Sequence, residues 1–328
     1  MLNIMIYSYF LFGTGNSPLF ENKIYEQKLK NCGLVKKKNP FFAKLIICRD
    51  LNNAKKAAFL FPLKKIVVYQ YELFIDTIKS ETYKFCKIKS IVVINGFNGG
   101  IFFNNYHFLA SYIFDDEFDL GMKKNELILT QSILNKAEYE NAKHIIFIGQ
   151  KRELADINKS NLDIGIDLNE KRQEIAQISY DIGVGDVIGK GWNEISGIKN
   201  SGFDSGNLNW WDSKLDLLKG YRFNIALENT LWKHYVSEKI WHSIKAGCLP
   251  IYWGTGSSIY DSFPKNSFVD ASEFKNSKDL IDYTTNLSYE LWCERMKKCI
   301  NVYNEYIMKM NYSKFDEAID KFLERVDK

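Results

Sequence analysis

The sequence predicts an α/β protein of two domains, each built from parallel βα units. Three observations lead there. The chain has 328 residues, more than one hydrophobic core usually serves, so two domains sharing a cleft are expected. Apolar residues make up 46% of it and charged residues 26%, ordinary globular usage that offsets the ordering entropy and excludes wholesale disorder. Short β-branched and aromatic runs alternate with longer helical patterns, as parallel βα units require.

The first strand is expected over residues 3–12. No basic region precedes this apolar run and no small-residue cleavage site follows it, so it reads as a buried strand and not a signal peptide. Further strands are expected at Leu45–Cys48, 57–61, 65–69 and 90–95. Residues 125–141 are polar and helix-forming without a strong apolar face, and the interdomain connection is placed there. A helix is expected over 168–182, and a second strand series at 144–149, Gly185–Ile188, 223–227, 248–253 and 267–269. Residues 193–211, rich in Gly, Asn, Ser and Trp, read as a long loop of the kind that is often functional. From Leu280 onward the composition is helical, with Leu291, Met296, Cys299 and Val302 spaced for one buried stripe. Residues 312–328 form a last helix. Its flanking lysines would suit a membrane surface, but its polar face carries as many acids as bases, so packing on the body is expected. The domains are therefore set at 1–140 and 141–302, with 303–328 a C-terminal helix returning to the first domain.

Composition removes several function classes. Lysine and arginine exceed aspartate and glutamate by 44 − 40 = +4, too little for a dedicated nucleic-acid binder. No two of the six cysteines form C-x-x-C and the histidines form no H-E-x-x-H, so a reduced protein without structural zinc is expected. No apolar run approaches the ~18 residues of a membrane span. A cytoplasmic protein, with at most peripheral contact at the inner membrane, is the expectation. Most of the abundant Phe and Tyr side chains should fill the cores, with a few lining a sugar-binding cleft.

Two glycine pairs invite a dinucleotide reading, Gly13-Thr14-Gly15 and Gly183-Val184-Gly185, but position 18 is Pro18 and position 188 is Ile188. Neither completes G-x-G-x-x-G, and simple turn glycines are the preferred reading. No Walker A sequence occurs. The strongest local signal is the run at 221–254, YRFNIALENTLWKHYVSEKIWHSIKAGCLPIYWG. Its strand ends in Glu228 and Asn229. A loop leads to Tyr235, Ser237 is placed as an N-cap, and Gly247 as the C-cap of a helix over 238–246. Glu238 and Lys239 then fall in the helix's first turn, at the carboxyl end of a parallel strand, where open α/β sheets bind ligands. Helix amides and a lysine there suit an anion.

This run resembles the signature of the α-1,3/4-fucosyltransferases of glycosyltransferase family 10, closest to the bacterial Lewis-antigen type. Ser267 to Phe274, SFVDASEF, resembles the family's next strand and turn, and Val187 to Trp192 with Lys171–Arg172 its upstream strand and helix. Tyr69-Gln70-Tyr71-Glu72 resembles its Tyr-x-x-Glu, with Tyr71 in place of a glycine. The resemblance implies a GT-B fold, two Rossmann-like domains facing each other across a cleft, with C-terminal helices. It implies an inverting transferase without metal or other cofactor. L-fucose would pass from the co-substrate GDP-β-L-fucose to an N-acetylglucosamine or glucose unit of a glycan acceptor, in surface polysaccharide synthesis. Without magnesium, the charge growing on the diphosphate must be met by fixed cations. Arg172 and Lys239 are the candidates, with Tyr235 donating to a phosphate oxygen, Glu238 accepting from ribose hydroxyls and Asn229 lining the same pocket. Glu228 and Ser237 belong either to that pocket or to its scaffold. Glu72 would be the general base. The competing readings are a transferase of another GDP-sugar, a dinucleotide-dependent oxidoreductase, and a non-catalytic carbohydrate-binding protein.

Overall fold

The computed structural model describes residues 7–13, 20, 23–70, 80–86, 89–95, 128–152, 166–192, 210–232, 235–309 and 313–328. The chain forms two compact units, residues 1–121 with 311–328, and residues 122–310.

The first unit carries β1 (Tyr7–Phe12), β2 (Leu34–Lys36), β3 (Leu45–Cys48), β4 (Lys65–Gln70), β5 (Thr82–Phe85) and β6 (Lys89–Asn95) in the order β2-β1-β3-β4-β6-β5. All pairings are parallel except that of the edge strand β5 with β6. β3 and most of β4 are buried without alternation, as parallel strands covered on both faces are. Two helices, α1 (Lys23–Asn31) and α2 (Leu51–Leu60), belong to this unit. The strand expected at 57–61 is instead the second half of α2. Asp50 caps that helix by accepting from the Asn53 amide at 2.8 Å. Ala54, Ala57 and Ala58, at helical spacing, are the buried face. Phe59 and Leu60, which continue the apolar run that reads like a strand, are exposed.

The second unit carries β7 (Lys143–Ile148), β8 (Ile166–Asp167), β9 (Gly185–Ile188), β10 (Tyr221–Ile225), β11 (Thr230–Leu231), β12 (Leu249–Tyr252) and β13 (Val269–Asp270). Its main sheet runs β13-β12-β10-β7-β9, with every pairing parallel. The helices are α3 (Lys136–Asn141), α4 (Asn169–Asp181), α5 (Trp210–Leu218), α6 (Glu238–Lys245), α7 (Ser277–Asn286) and α8 (Tyr289–Lys309). The loop expected over 193–211 thus gives way to helix at Trp210, and residues 193–209 lie outside the described residues. In α8 the buried stripe is Trp292, Met296, Cys299 and Tyr303, while Leu291 is exposed. Trp292 takes the core position because its indole N–H reaches the Arg222 carbonyl at 3.0 Å.

The last helix, α9 (Ser313–Asp327), groups with the first unit. Phe322 packs against Phe20 and Tyr69, with centroids 5.5 and 6.5 Å away. Arg325 pairs with Glu81 at 2.9 Å, and the Tyr7 hydroxyl bonds Asp327. The contacts divide the chain at 121/122 and 310/311, where the sequence suggested 140/141 and 302/303. Bonds to α8 account for the first difference. The Leu129 amide and carbonyl both pair with the Asn304 side chain, at 2.8 and 2.9 Å, and the Tyr289 hydroxyl reaches the Leu134 carbonyl at 2.6 Å.

His144 of β7 lies edge-on to Phe223 of β10 at 5.1 Å, its Nε2 buried without a hydrogen-bond partner. Burial, then the Arg222 charge, pushes its pKa down to about 4. The folded protein therefore binds fewer protons than the unfolded chain between pH 6.5 and about 4. This contribution to stability is full above that window and is lost as pH falls through it. His242, buried and pushed well below its ordinary value, acts in the same direction. His144→Phe is expected to keep its stability better than wild type between pH 7 and pH 5. Urea melts at the two values check this, and equal losses in both proteins would refute it.

Candidate functional site

In the second unit the strand order reverses between β7 and β10, since β9 lies on one side of β7 and β10, β12 and β13 follow on the other. Open α/β sheets bind ligands at the carboxyl ends flanking such a reversal. The carboxyl end of β10 leads into Ala226, Leu227, Glu228 and Asn229, all buried. β11 then pairs antiparallel with β8. The Asn229 carbonyl accepts from the Leu168 amide at 3.0 Å and the Asn169 amide group at 3.3 Å, which ties the start of α4 to the end of β10.

Arg172 sits one turn into α4 and is only 7% exposed. Its guanidinium lies 6.0 Å from the centroid of the Phe147 ring on β7, and its Nε is buried with no hydrogen-bond partner. Burial, then the like charge of Arg152, lowers its pKa to about 10 against the opposing pull of Glu228, Tyr235 and Asp167. A buried arginine with an unused donor is costly by itself, and an anionic ligand would offset that cost.

Glu228 is the hub of the site. Its carboxylate accepts from the Ser237 amide (2.7 Å), the Ser237 hydroxyl (2.7 Å), the Lys239 ammonium (3.0 Å) and the Tyr252 hydroxyl (3.1 Å). Ser237 was expected to cap α6 through its side chain. It stands at the N-cap position but makes no such bond, because its hydroxyl is directed to the buried carboxylate. The same contact explains the first-turn lysine. A cation at a helix N-terminus is disfavoured by the dipole, and Lys239 is held there by Glu228 and by the Ser237 hydroxyl at 2.7 Å. Helix α6 is in turn fastened to β10. The Asn224 side chain donates to the Ser243 hydroxyl at 2.7 Å, and that hydroxyl donates to the Lys239 carbonyl at 2.8 Å.

Glu238 faces two lysines, Lys214 at 3.3 Å and Lys239 at 3.8 Å. Burial alone would raise its pKa, but these charges outweigh burial and hold the carboxyl well below the usual range. Lys214, on α5, is 4% exposed. Sequence reasoning missed it, along with Tyr252. Lys214 meets Glu238 only through tertiary packing, and nothing in the local pattern of α5 marks it as buried. Tyr252 reads as one more core aromatic of β12.

Glu228, Ser237, Glu238 and Lys239 thus form one network, with Asn229 next to it and Arg172 and the buried Tyr235 within electrostatic reach of each other. Glu72 lies outside the described residues, as do Tyr71 and Phe74. Tyr69, expected beside Glu72, is instead a core residue between Phe20 and Phe322. Of the glycine pairs, Gly183 is a turn residue, Gly185 opens β9, and Gly15 lies outside the described residues. Gly183, at φ +77°, follows α4 and lies before β9, at the amino edge of the sheet, where a pyrophosphate turn has no place. Gly13 is at φ +86°, and a Cβ there would come within 2.7 Å of the Asn53 side chain.

Residues 170–308 match the family described as glycosyltransferase family 10 (fucosyltransferase) C-term. An α-(1,3)-fucosyltransferase of Helicobacter pylori is 44% identical over 71 residues, 22% of this chain and 15% of that protein. An α-(1,4)-fucosyltransferase of Arabidopsis thaliana is 35% identical over 78 residues, 24% of this chain and 19% of that protein. The alignments therefore span less than a fifth of the length of either relative. A solved α1,3-fucosyltransferase with GDP-fucose covers 98% of this chain and 91% of its own at 17% identity, with a TM-score of 0.46. The Glu228 network and Arg172 both lie inside the span that is similar to the C-terminal part of glycosyltransferase family 10.

Proposed function

We propose that the chain is an inverting fucosyltransferase of GT-B architecture. It moves L-fucose from GDP-β-L-fucose to a hydroxyl of an N-acetylglucosamine or glucose unit in a surface glycan, in α-1,3 or α-1,4 linkage. The observation that carries this reading is the pairing of cations around Glu228 at the sheet reversal. Arg172 is buried with a spare donor, and Lys239 is fixed in the first turn of α6. Such preset charges stabilise a departing diphosphate without reorganising. In this reading Arg172 and Lys239 clamp the diphosphate and Tyr235 adds a hydrogen bond. Glu238, held ionised by Lys214 and Lys239, accepts from the ribose hydroxyls, and Asn229 lines the pocket. The reaction needs no metal ion or other cofactor, and it takes place on the cytoplasmic side.

The test is a calorimetric titration of GDP into the full chain in excess EDTA. Lys239→Ala and Arg172→Ala are each expected to weaken binding by about 1.5–3 kcal/mol, roughly ten- to a hundredfold, through the loss of a charge-assisted bond. Lys38→Ala should leave GDP affinity unchanged. Unaltered affinity in Lys239→Ala would remove the donor site from α6, and binding or transfer that requires Mn²⁺ would overturn the metal-free reaction. GDP-fucose and GDP-mannose compared by melting temperature identify the sugar, because a ligand that binds only the folded state raises it.

A further inference from the structure

Eight large apolar side chains are exposed among the described residues, and five of them, Phe41, Phe42, Phe59, Leu60 and Leu63, fall between positions 41 and 63. They sit on two segments that the fold brings together, the turn Pro40–Phe42 before β3 and the passage from α2 into β4. Phe41 meets the Phe61 ring at 6.0 Å, and the Lys64 ammonium donates to the Phe41 carbonyl at 2.8 Å. Leu45 pairs with Lys65 in register, so both segments lie at the amino edge of the first unit's sheet. Leu63 is 96% exposed and Phe59 77%. Neighbouring exposed apolar side chains of this size mark an interaction surface in a soluble protein.

The charge around them is one-sided. Residues 36–65 hold nine Lys and Arg against one acid, a net +8, so the remainder of the chain carries 4 − 8 = −4. Arg49 and Asp50 follow β3 at the opposite edge and cancel. The others are all lysines, including Lys38, Lys44 and Lys56, which are exposed. Lys65 lies 3.9 Å from Asp327 in a solvent-exposed pair that neutralises little.

We infer that this edge of the first unit docks on an anionic lipid surface, with Phe42, Phe59 and Leu63 entering between headgroups and the lysines facing phosphates. Apolar side chains flanked by lysines combine the two attractions that hold a peripheral protein at such a surface. A second copy of the chain would set +8 against +8. A nucleic acid would use the lysines but leave Leu60 and Leu63 without a stacking role. The surface lies in the unit that lacks the Glu228 network, so the inference does not rest on fucosyl transfer.

Co-sedimentation of the full chain with vesicles tests it. The protein should pellet with phosphatidylcholine vesicles containing phosphatidylglycerol, stay in solution with phosphatidylcholine alone, and be released by salt. Two double variants, Phe42→Ser with Leu63→Gln and Lys38→Glu with Lys44→Glu, should each lose about tenfold or more in partitioning. Their melting temperatures and GDP affinities should stay at the wild-type values. No binding to anionic vesicles would overturn the inference, as would wild-type binding by both variants. A wild-type dimer that Phe42→Ser with Leu63→Gln dissociates would assign the surface to a second copy, and tighter binding to a single-stranded oligonucleotide than to the vesicles would assign it to nucleic acid.

Discussion

Glu228→Ala is expected to destabilise the second unit by about 3–5 kcal/mol, the range found when one partner of a buried ion pair is removed. The carboxylate is 3% exposed and accepts four bonds. Its loss leaves the Ser237 hydroxyl, the Tyr252 hydroxyl and the Lys239 ammonium without their shared acceptor, in a place where water is largely excluded. For a unit of this size the melting temperature should fall by roughly 10 °C. Glu228→Gln keeps the volume but turns an N–H₂ group toward donors, so it should fall between wild type and alanine. GDP affinity, measured below the melting transition, should drop as well, because Lys239 loses the group that fixes it against the α6 dipole. The thermal melt decides the matter. A shift of less than about 2 °C in the second unit's transition would mean that the network does not hold this end of the sheet together.

Both strand series were legible in the sequence to different degrees, and the exceptions have physical causes. Strand Leu45–Cys48 coincides with the sequence reading because its continuous apolar run, LIIC, leaves little choice, and Gly185–Ile188 coincides with it because the turn at Gly183 marks where the strand begins. Short edge strands such as β2 and β5 carry no such run. β5, with the sequence TYKF and alternating exposure, gains its place only by pairing with β6. Residues 57–61 misled because alanines pack against a sheet in either conformation, and the deciding cap, Asp50, lies seven residues upstream. The candidate site was legible as a string of residue types at a strand end. Its wiring was not, because a hydrogen bond from the Ser237 hydroxyl to Glu228 competes with capping α6 only once that carboxylate is buried. Lys214 was beyond reach for a related reason, since its ion pair with Glu238 joins residues 24 positions apart on separate helices.

Glu72→Gln is expected to abolish most fucosyl transfer, by about 10²–10⁴-fold, while leaving GDP affinity intact. The expectation follows from the chemistry proposed above. Attack by a sugar hydroxyl on the anomeric carbon needs its proton removed as the new bond forms, and glutamine keeps the shape of the side chain but cannot accept that proton. The position in sequence suits the role. β4 is a central parallel strand that ends at Gln70, so Glu72 follows the carboxyl end of the strand by two residues. That edge is where α/β sheets present their chemistry. Tyr69 is committed to the core with Phe20 and Phe322. Radiolabelled transfer and GDP titration on the same preparation separate the outcomes. Turnover within a few-fold of wild type would exclude Glu72 as the base. A parallel fall in GDP affinity would place Glu72 in the donor pocket and remove it as the base.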